Sequence, residues 1–136
     1  CFPKFTVLIL KQKNDSMYLI FDTETTGLPQ NWKAPLTDFN NWPRCVQLAW
    51  QVHDVEGKLM EVKNYIIKPE GYDIPFNAEK IHGISTDRAN KQGMPLNVVL
   101  AEFVKDVQKC KFVIGHNVSF DNSIVGCELL RMEMPN

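Results

Sequence analysis

Two acidic residues directly after a short apolar run set the first constraint on how this chain folds. The run spans Tyr18–Phe21, and Asp22 and Glu24 follow it at positions two apart. A short apolar run bounded by polar segments is typical of a buried strand. Side chains alternate along a strand, so both carboxylates would lie on the same face. The sequence therefore predicts a buried strand that ends in two acids on one side.

A third carboxylate, Asp121, lies far along the chain and also follows an apolar run, the predicted strand Lys111–Gly115. Hard cations such as Mg²⁺ prefer carboxylate oxygens, and two such ions can act together on one phosphoryl group. An isolated pair of acids at a strand end is usually just solvated. The second strand followed by an acid instead favours a metal site formed by Asp22, Glu24 and Asp121.

Length and charge bound the type of protein. The chain has 136 residues, of which 44% are hydrophobic, so we expect one compact domain over 1–136, with residues 1–16 as an N-terminal extension. The 15 basic and 16 acidic residues give a net charge of -1. This balance excludes an extended basic surface, so any nucleic-acid binding would be local.

Apolar runs and cysteines indicate the compartment. No apolar run approaches the ~20 residues of a membrane span, and Thr6–Leu10 is too short for the core of a signal peptide. We therefore expect a soluble protein with no membrane association. The cysteines are scattered and form no C-x-x-C pair, which favours reduced thiols and a cytoplasmic location. They are Cys1, Cys45, Cys110 and Cys127.

The rest of the chain alternates predicted strands and helices around one long loop. Residues 29–43 are rich in proline and asparagine and are predicted to be that loop. Two strands of an antiparallel hairpin follow at Cys45–His53 and Lys58–Ile67. Ser85 or Thr86 is a candidate helix cap. The predicted helices, of which the third is clearly amphipathic, are Pro75–His82, Thr86–Lys91, Pro95–Lys109 and Ser119–Met134. The third helix runs into the strand Lys111–Gly115 after a short link, which favours a right-handed crossover and a parallel strand in this part of the sheet.

Three segments of the sequence resemble motifs of the DEDDh 3′-to-5′ exonucleases, the DnaQ-like family. The segment 21–28, FDTETTGL, resembles the first motif, and the segment 115–121, GHNVSFD, resembles the second. The segment 81–84, IHGI, resembles a lesser signature between them. The three motifs occur in the order that the family has. Together they cover the chain from about Met17 to its end. The resemblance implies an α/β fold of the RNase H-like type, with a mixed β-sheet flanked by helices.

The resemblance also implies roles for individual residues. Asp22, Glu24 and Asp121 match three of the four acids that bind two Mg²⁺ or Mn²⁺ ions and carry catalysis in the family. Leu28 matches an apolar wedge against the terminal base. The positions implied to lie at the bound nucleotide are Thr25, Leu28, His82, Asn117 and Phe120.

Structural alternatives remain open for several of these positions. His82 could hydrogen-bond a nearby loop carbonyl rather than substrate. Asn117 could cap the final helix, and Phe120 could be an ordinary core residue. Trp32 and Trp42 could stack on bases or hold the long loop against the body of the domain.

The third motif of the family, a histidine followed five positions later by an aspartate, is expected beyond the final helix, where this sequence ends. That motif supplies the general base and the fourth metal ligand. We therefore expect a C-terminally truncated exonuclease domain that is weak or inactive in this form. An uncovered apolar sheet face would then make homodimer formation unsurprising.

The function implied by the resemblance is metal-dependent removal of nucleoside monophosphates from the 3′ end of single-stranded DNA, of the proofreading or repair type. A DNA polymerase subunit is the expected protein partner. An exoribonuclease resembling RNase T is the first alternative, because no residue pattern here distinguishes a 2′-hydroxyl. A non-catalytic module that binds nucleic acid or metal is the second.

Overall fold

Five strands form one mixed sheet in the computed structural model, which describes residues 6–9 and 17–133. Numbered along the chain, the strands are β1 (Thr6–Ile9), β2 (Met17–Thr25), β3 (Cys45–Asp54), β4 (Leu59–Ile66) and β5 (Phe112–Gly115). Their order across the sheet is β1-β5-β2-β3-β4. β2 and β5 are parallel, and the other neighbouring pairs are antiparallel. The sheet is therefore mixed, as the sequence predicts.

In the part of the chain that the structure describes, four helices connect or follow these strands. They are α1 (Phe76–His82), α2 (Thr86–Gln92), α3 (Leu96–Val107) and α4 (Val118–Glu133). The Ser85 side chain caps α2 by accepting a hydrogen bond from the Arg88 amide. Gly83 ends α1 with φ 76°, a left-handed conformation that favours glycine. In the described part of the chain, none of the helices is long and apolar enough to cross a membrane.

The main core lies between the sheet and the helices α3 and α4. Leu19 and Phe21 point from β2 into this core, where the Phe21 ring lies 5.1 Å from the Phe103 ring. Trp50 of β3 contacts the same Phe103 ring edge to face at 5.2 Å. The opposite face of β2 carries Asp22, which is exposed. The alternation of β2 thus places core residues on one side and the acids on the other.

A buried carboxylate joins β3, β4 and α3. Asp106 accepts hydrogen bonds from the Trp50 indole at 2.8 Å and from Lys63 at 3.0 Å, and Lys109 lies 3.3 Å from its other oxygen. Burial alone raises the pKa of a carboxyl group, but the bonds from Trp50 and Lys63 hold the pKa of Asp106 below its ordinary value. Asp106 is therefore a charged part of the core that stabilises the packing of α3 against the hairpin.

The structure confirms the predicted hairpin, the four helices and the parallel pairing of the later strand, with small shifts in their bounds. β2 is longer than the apolar run and includes both acids. β1 was not predicted. It lies within the 1–16 stretch and adds an edge strand next to β5. Residues 1–5 and 10–16 of that stretch, and residues 134–136, lie outside the described residues.

Candidate active site

The carboxylates Asp22 and Glu24 lie on β2 with Thr23 between them facing the interior. Asp22 is exposed, Glu24 is half-buried and Thr23 is buried. Asp121 lies in the first turn of α4 with only 2% of its surface exposed. The Thr23 hydroxyl donates a hydrogen bond of 2.5 Å to Asp121 Oδ1. This bond holds the Asp121 carboxylate beside the segment of β2 that carries the other two acids.

The turn between β5 and α4 brings Asp121 close to β2. At Gly115, a Cβ atom would lie 3.3 Å from the Val118 Cα and 3.4 Å from the Phe21 carbonyl oxygen. A larger residue would push the start of α4 away from β2. The Asp121 amide then donates to the Asn117 carbonyl at 3.0 Å to form the first helical turn. The glycine of the second sequence motif thus allows the close approach of strand and helix.

The three acids influence one another electrostatically. Burial, together with the negative charges of Asp22 and Glu24, raises the pKa of Asp121 to about 6, although the Thr23 hydrogen bond opposes the shift. Burial and the charge of Asp22 also raise the pKa of Glu24, and His82 partly offsets this. Asp121 Oδ2 is buried and has no hydrogen-bond partner among the residues that the structure describes. A bound cation would compensate both the repulsion and the unpartnered oxygen.

The acids are neighbours but do not form a closed ligand set. Within residues 6–9 and 17–133, no group of three or more histidine, cysteine or acidic side chains is arranged to hold a metal ion. Asp22 and Glu24 share the outer face of β2, whereas Asp121 faces Thr23 from the α4 side. The three carboxylates are therefore brought into one region, and their arrangement as ligands stays a prediction.

A groove of about 290 Å³ begins beside these acids. One wall is the end of β2 and the turn after it, where the Thr25 hydroxyl donates to the Gly27 carbonyl at 2.7 Å. Leu28 projects from this turn and is 73% exposed. The predicted residues that line the groove are Glu24, Thr25, Leu28, His82 and Phe120. The groove is thus a concave, mostly apolar site with the Glu24 carboxylate at one edge, a common form of ligand site.

His82 presents a hydrogen-bond donor that has no partner within residues 6–9 and 17–133. Its Nδ1 accepts a bond from the Ile84 amide at 3.1 Å, so in the neutral ring the proton is assigned to Nε2. Nε2 is buried and has no partner in the structure. The sequence left open a bond from His82 to a loop carbonyl, but the observed bond comes from a backbone amide. The remaining donor belongs to a residue that lines the groove.

Asn117 is exposed, directly precedes α4 and does not line the groove. Its carbonyl begins the helix, so the structure places it at the helix start.

The two loop tryptophans differ. Trp42 is 4% exposed and donates to the Pro35 carbonyl at 3.0 Å, which holds the loop in place. Trp32 is 53% exposed, and its ring lies 5.4 Å from the Phe120 ring.

No family model matches the chain, but individual proteins do. It is 30% identical over 113 residues to the DNA polymerase III subunit epsilon of Rickettsia felis, covering 82% of this chain and 43% of that protein. It is 29% identical over 122 residues to a PolC-type DNA polymerase III of Streptococcus pyogenes, covering 90% of this chain and 7% of that protein. Among solved structures, E. coli exonuclease I in complex with a dT13 oligonucleotide superposes with a TM-score of 0.64 and 26% identity.

These similarities in sequence and fold support a DnaQ-like exonuclease family for the chain. Its mixed sheet and helices have the RNase H-like fold of the exonuclease I structure, which the comparison covers over 82% of this chain and 23% of the other. The chain spans less than half the length of the Rickettsia relative. The fold expectation drawn from the sequence motifs is thereby confirmed.

Sequence reasoning missed several residues that shape this DnaQ-like site. Thr23 bonds Asp121, and the alternation of β2 could have revealed it, because the residue between two outward acids must face inward. The groove wall contributed by α1 was also missed. This wall consists of residues that helical spacing places on the same side of α1 as the predicted His82, namely Asn77, Ala78 and Ile81.

Proposed function

We propose that the protein is a metal-dependent 3′-to-5′ exonuclease that releases nucleoside monophosphates from single-stranded DNA. The observation that carries this proposal is the buried, unpartnered Asp121 Oδ2, beside Asp22 and Glu24 at the edge of a nucleotide-sized groove. The similarity to the DnaQ-like family and to exonuclease I bound to dT13 supports the same activity.

The three acids suit a hard divalent cation, because all their donor atoms are carboxylate oxygens. Asp22, Glu24 and Asp121 would hold Mg²⁺ or Mn²⁺, two ions in the proposed enzyme. When bound, such ions lower the pKa of an attacking water and neutralise charge on the scissile phosphate. Burial first, and then the charges of the neighbouring acids, raise the pKa values of Asp121 and Glu24, which fits a site that a cation would stabilise.

The groove residues would bind and orient the terminal nucleotide. Leu28, largely exposed at the groove edge, offers an apolar surface to the base. The Nε2–H of His82 can donate to an oxygen of the bound nucleotide, which would satisfy a donor that is now unpartnered. Thr23 fixes the position of the Asp121 carboxylate through its hydroxyl. Together these groups would hold the last phosphodiester next to the acids.

The choice of DNA over RNA rests on the names of the similar proteins, which are a DNA polymerase III subunit, a PolC-type DNA polymerase III and an exonuclease bound to an oligothymidylate. An exoribonuclease of the same family stays the first alternative. A non-catalytic module with the same fold is the second, and it predicts binding of metal and nucleotide without turnover.

The proposed activity is tested with the full-length protein and an oligonucleotide labelled at its 3′-terminal nucleotide. We expect release of the labelled mononucleotide in Mg²⁺ or Mn²⁺ and at least ~100-fold slower release in excess chelator, because the ions supply several kcal/mol of charge stabilisation. DNA and RNA strands of one sequence are compared in parallel. Faster release from RNA would establish the exoribonuclease alternative, and binding without release would establish the non-catalytic one.

We further propose a cytoplasmic location and association with a DNA polymerase. The polymerase partner rests on the similarity to a protein named as a polymerase III subunit. The location rests on the thiols. Within the described residues, Cys45, Cys110 and Cys127 are buried and form no disulfide, and burial raises the pKa of Cys110 to about 11, so that its thiol stays protonated and unreactive.

Homodimer formation is also proposed, through the outer edge of β4. In the described part of the chain, no strand pairs with this edge over residues 59–65. Val62 is 56% exposed, and the exposed fractions of Leu59 and Met60 are 48% and 52%. The Ile67 amide donates to Val46 of β3, whereas the Ile66 carbonyl accepts from Met94 on the opposite side. Backbone groups of every second residue along a strand point the same way, so those of Val62, four residues before Ile66, also point away from β3.

A second copy could pair with this edge in an antiparallel register centred on Val62. That register would place Glu61 of each copy opposite Lys63 of the other, in positions where side chains approach closely. Glu61 and Lys63 are opposite in charge, so this register sets no like charges against each other, while Lys63 keeps its bond to Asp106. An unpaired edge of this kind invites pairing with another strand.

Substituting Val62→Lys should weaken the dimer roughly tenfold or more, because two lysines would face each other across the two-fold axis. Light scattering after size exclusion measures the change. An equimolar mixture of Val62→Lys and Val62→Glu should restore a dimer. The control is Val55→Lys, at a site that is 72% exposed in the turn before β4. A wild-type protein that stays monomeric at micromolar concentration contradicts the proposed interface.

A further inference from the structure

Trp32 forms an exposed aromatic surface just outside the groove. Its ring lies 5.4 Å from the Phe120 ring at an angle of 50°, and Phe120 lines the groove. Trp32 itself is 53% exposed, whereas Trp42 and Trp50, the other tryptophans of the chain, are 4% and 2% exposed. The aromatic surface of the site thus continues beyond the space for one nucleotide.

The loop around Trp32 is held in place by hydrogen bonds. The Asn41 side chain accepts from the Asn31 amide at 2.7 Å and donates to the Asn31 carbonyl at 2.9 Å. The Asn31 side chain in turn accepts from the Lys33 amide at 2.9 Å. The residues on both sides of Trp32 are therefore fixed, and Asn41 is itself buried. The exposed indole is part of an ordered surface.

The far side of the same loop is bound to α4. Arg131 donates to the carbonyls of Phe39 and Trp42 at 2.8 and 2.7 Å. The helix that carries Asp121 and Phe120 therefore also holds the loop that carries Trp32. The relative position of the groove and the indole is set by this shared support.

An exposed, ordered tryptophan beside a nucleotide site has a specific use. Bases stack on aromatic side chains with a gain of about 1 to 3 kcal/mol per base, largely regardless of sequence. The groove residues would bind the terminal nucleotide, and Trp32 lies outside the groove and has no role in that binding. Lys33, exposed at the next position, adds a positive charge suited to a phosphate.

We propose that Trp32 is the stacking platform for a base upstream of the 3′-terminal nucleotide. The inference rests on the proposed function and extends it, because it makes the site select single-stranded ends of at least two nucleotides. A base paired in a duplex keeps its faces stacked on its neighbours and is not free to stack on the indole. Single strands would therefore bind better than paired ends.

The test compares wild type, Trp32→Ala and Trp32→Phe in the full-length protein. Two ligands are used, thymidine monophosphate and a short oligothymidylate, with binding measured by competition against a labelled oligonucleotide. Trp32→Ala should lower the affinity for the oligonucleotide roughly 5- to 150-fold, equivalent to about 1 to 3 kcal/mol. The affinity for the mononucleotide should stay within twofold of wild type. Trp32→Phe should retain most of the affinity, because phenylalanine also stacks.

Tryptophan fluorescence gives a second measurement that needs no catalysis. The fluorescence of Trp32 is the difference between the emission of wild type and that of Trp32→Phe. The oligonucleotide should quench this difference, because a stacked base quenches the indole. Equal oligonucleotide affinity in wild type and Trp32→Ala, or equal weakening of both ligands, would overturn the inference and leave the proposed function intact. Failure of wild type to bind either ligand would overturn the proposed function itself.

Discussion

Substituting Asp121→Asn should lower the rate of mononucleotide release at least ~100-fold while the protein stays folded. Asparagine keeps the oxygen that accepts from the Thr23 hydroxyl, so the link between α4 and β2 survives. It replaces the unpartnered Oδ2 with an amide nitrogen, which cannot bind a cation. The loss follows from removing a ligand of ions that supply several kcal/mol of transition-state stabilisation.

Thermal unfolding separates this effect from damage to the fold. Without metal, Asp121→Asn should be at least as stable as wild type, because it removes a buried charge that repels Asp22 and Glu24. Mn²⁺ at 100 times its dissociation constant should stabilise wild type by about 2.7 kcal/mol and the variant much less. The control is Asp87→Asn, an acid of α2 that is highly exposed. Equal stabilisation of wild type and Asp121→Asn by Mn²⁺ would contradict the role of Asp121 as a ligand.

The placement of Asp22 and Glu24 on one face of β2 and most of the fold were predictable because their signals are local. Alternation along β2 separates Leu19 and Phe21 from Asp22, and the apolar spacing of α3 marks its buried face. The parallel pairing of β5 with β2 followed from the helix that precedes β5. Motif order then gave the family. In each case, the information lies within a few consecutive residues.

The unpredicted parts depend on contacts between distant segments. β1 is an edge strand, and its pairing with β5 has no signal in its own short sequence. The fold of the loop depends on the pairing of Asn41 with Asn31, so sequence alone could not separate an exposed Trp32 from a buried Trp42. The wall of the groove from α1 was missed because the short helix packs against the site through tertiary contacts.

Glu128 is the clearest case of a residue whose surroundings depend on distant segments and could not be predicted from the sequence. A glutamate in the last helix is typical of a solvated surface, yet it is fully buried in the structure. Its oxygens accept from Arg44 at 3.0 Å, from Arg131 at 2.6 Å and from the Cys45 amide at 3.1 Å. The partners are the first residue of β3, the residue before it and a residue of α4 itself. This buried cluster joins the helix that carries Asp121 to the central sheet.

Substituting Glu128→Ala should lower the free energy of unfolding by about 3 to 5 kcal/mol, because it leaves two arginines without their buried counter-charge. Glu128→Gln should cost less, since its carbonyl oxygen still accepts a hydrogen bond. Urea denaturation at neutral pH measures both, and Glu133→Ala, at an exposed position of the same helix, should change stability by less than about 0.5 kcal/mol. A loss below about 1 kcal/mol for Glu128→Ala would show that the cluster does not hold the helix. The expected loss would instead mean that a charge remote from the groove keeps Asp121 and the Trp32 loop in place, because Arg131 bonds both Glu128 and that loop.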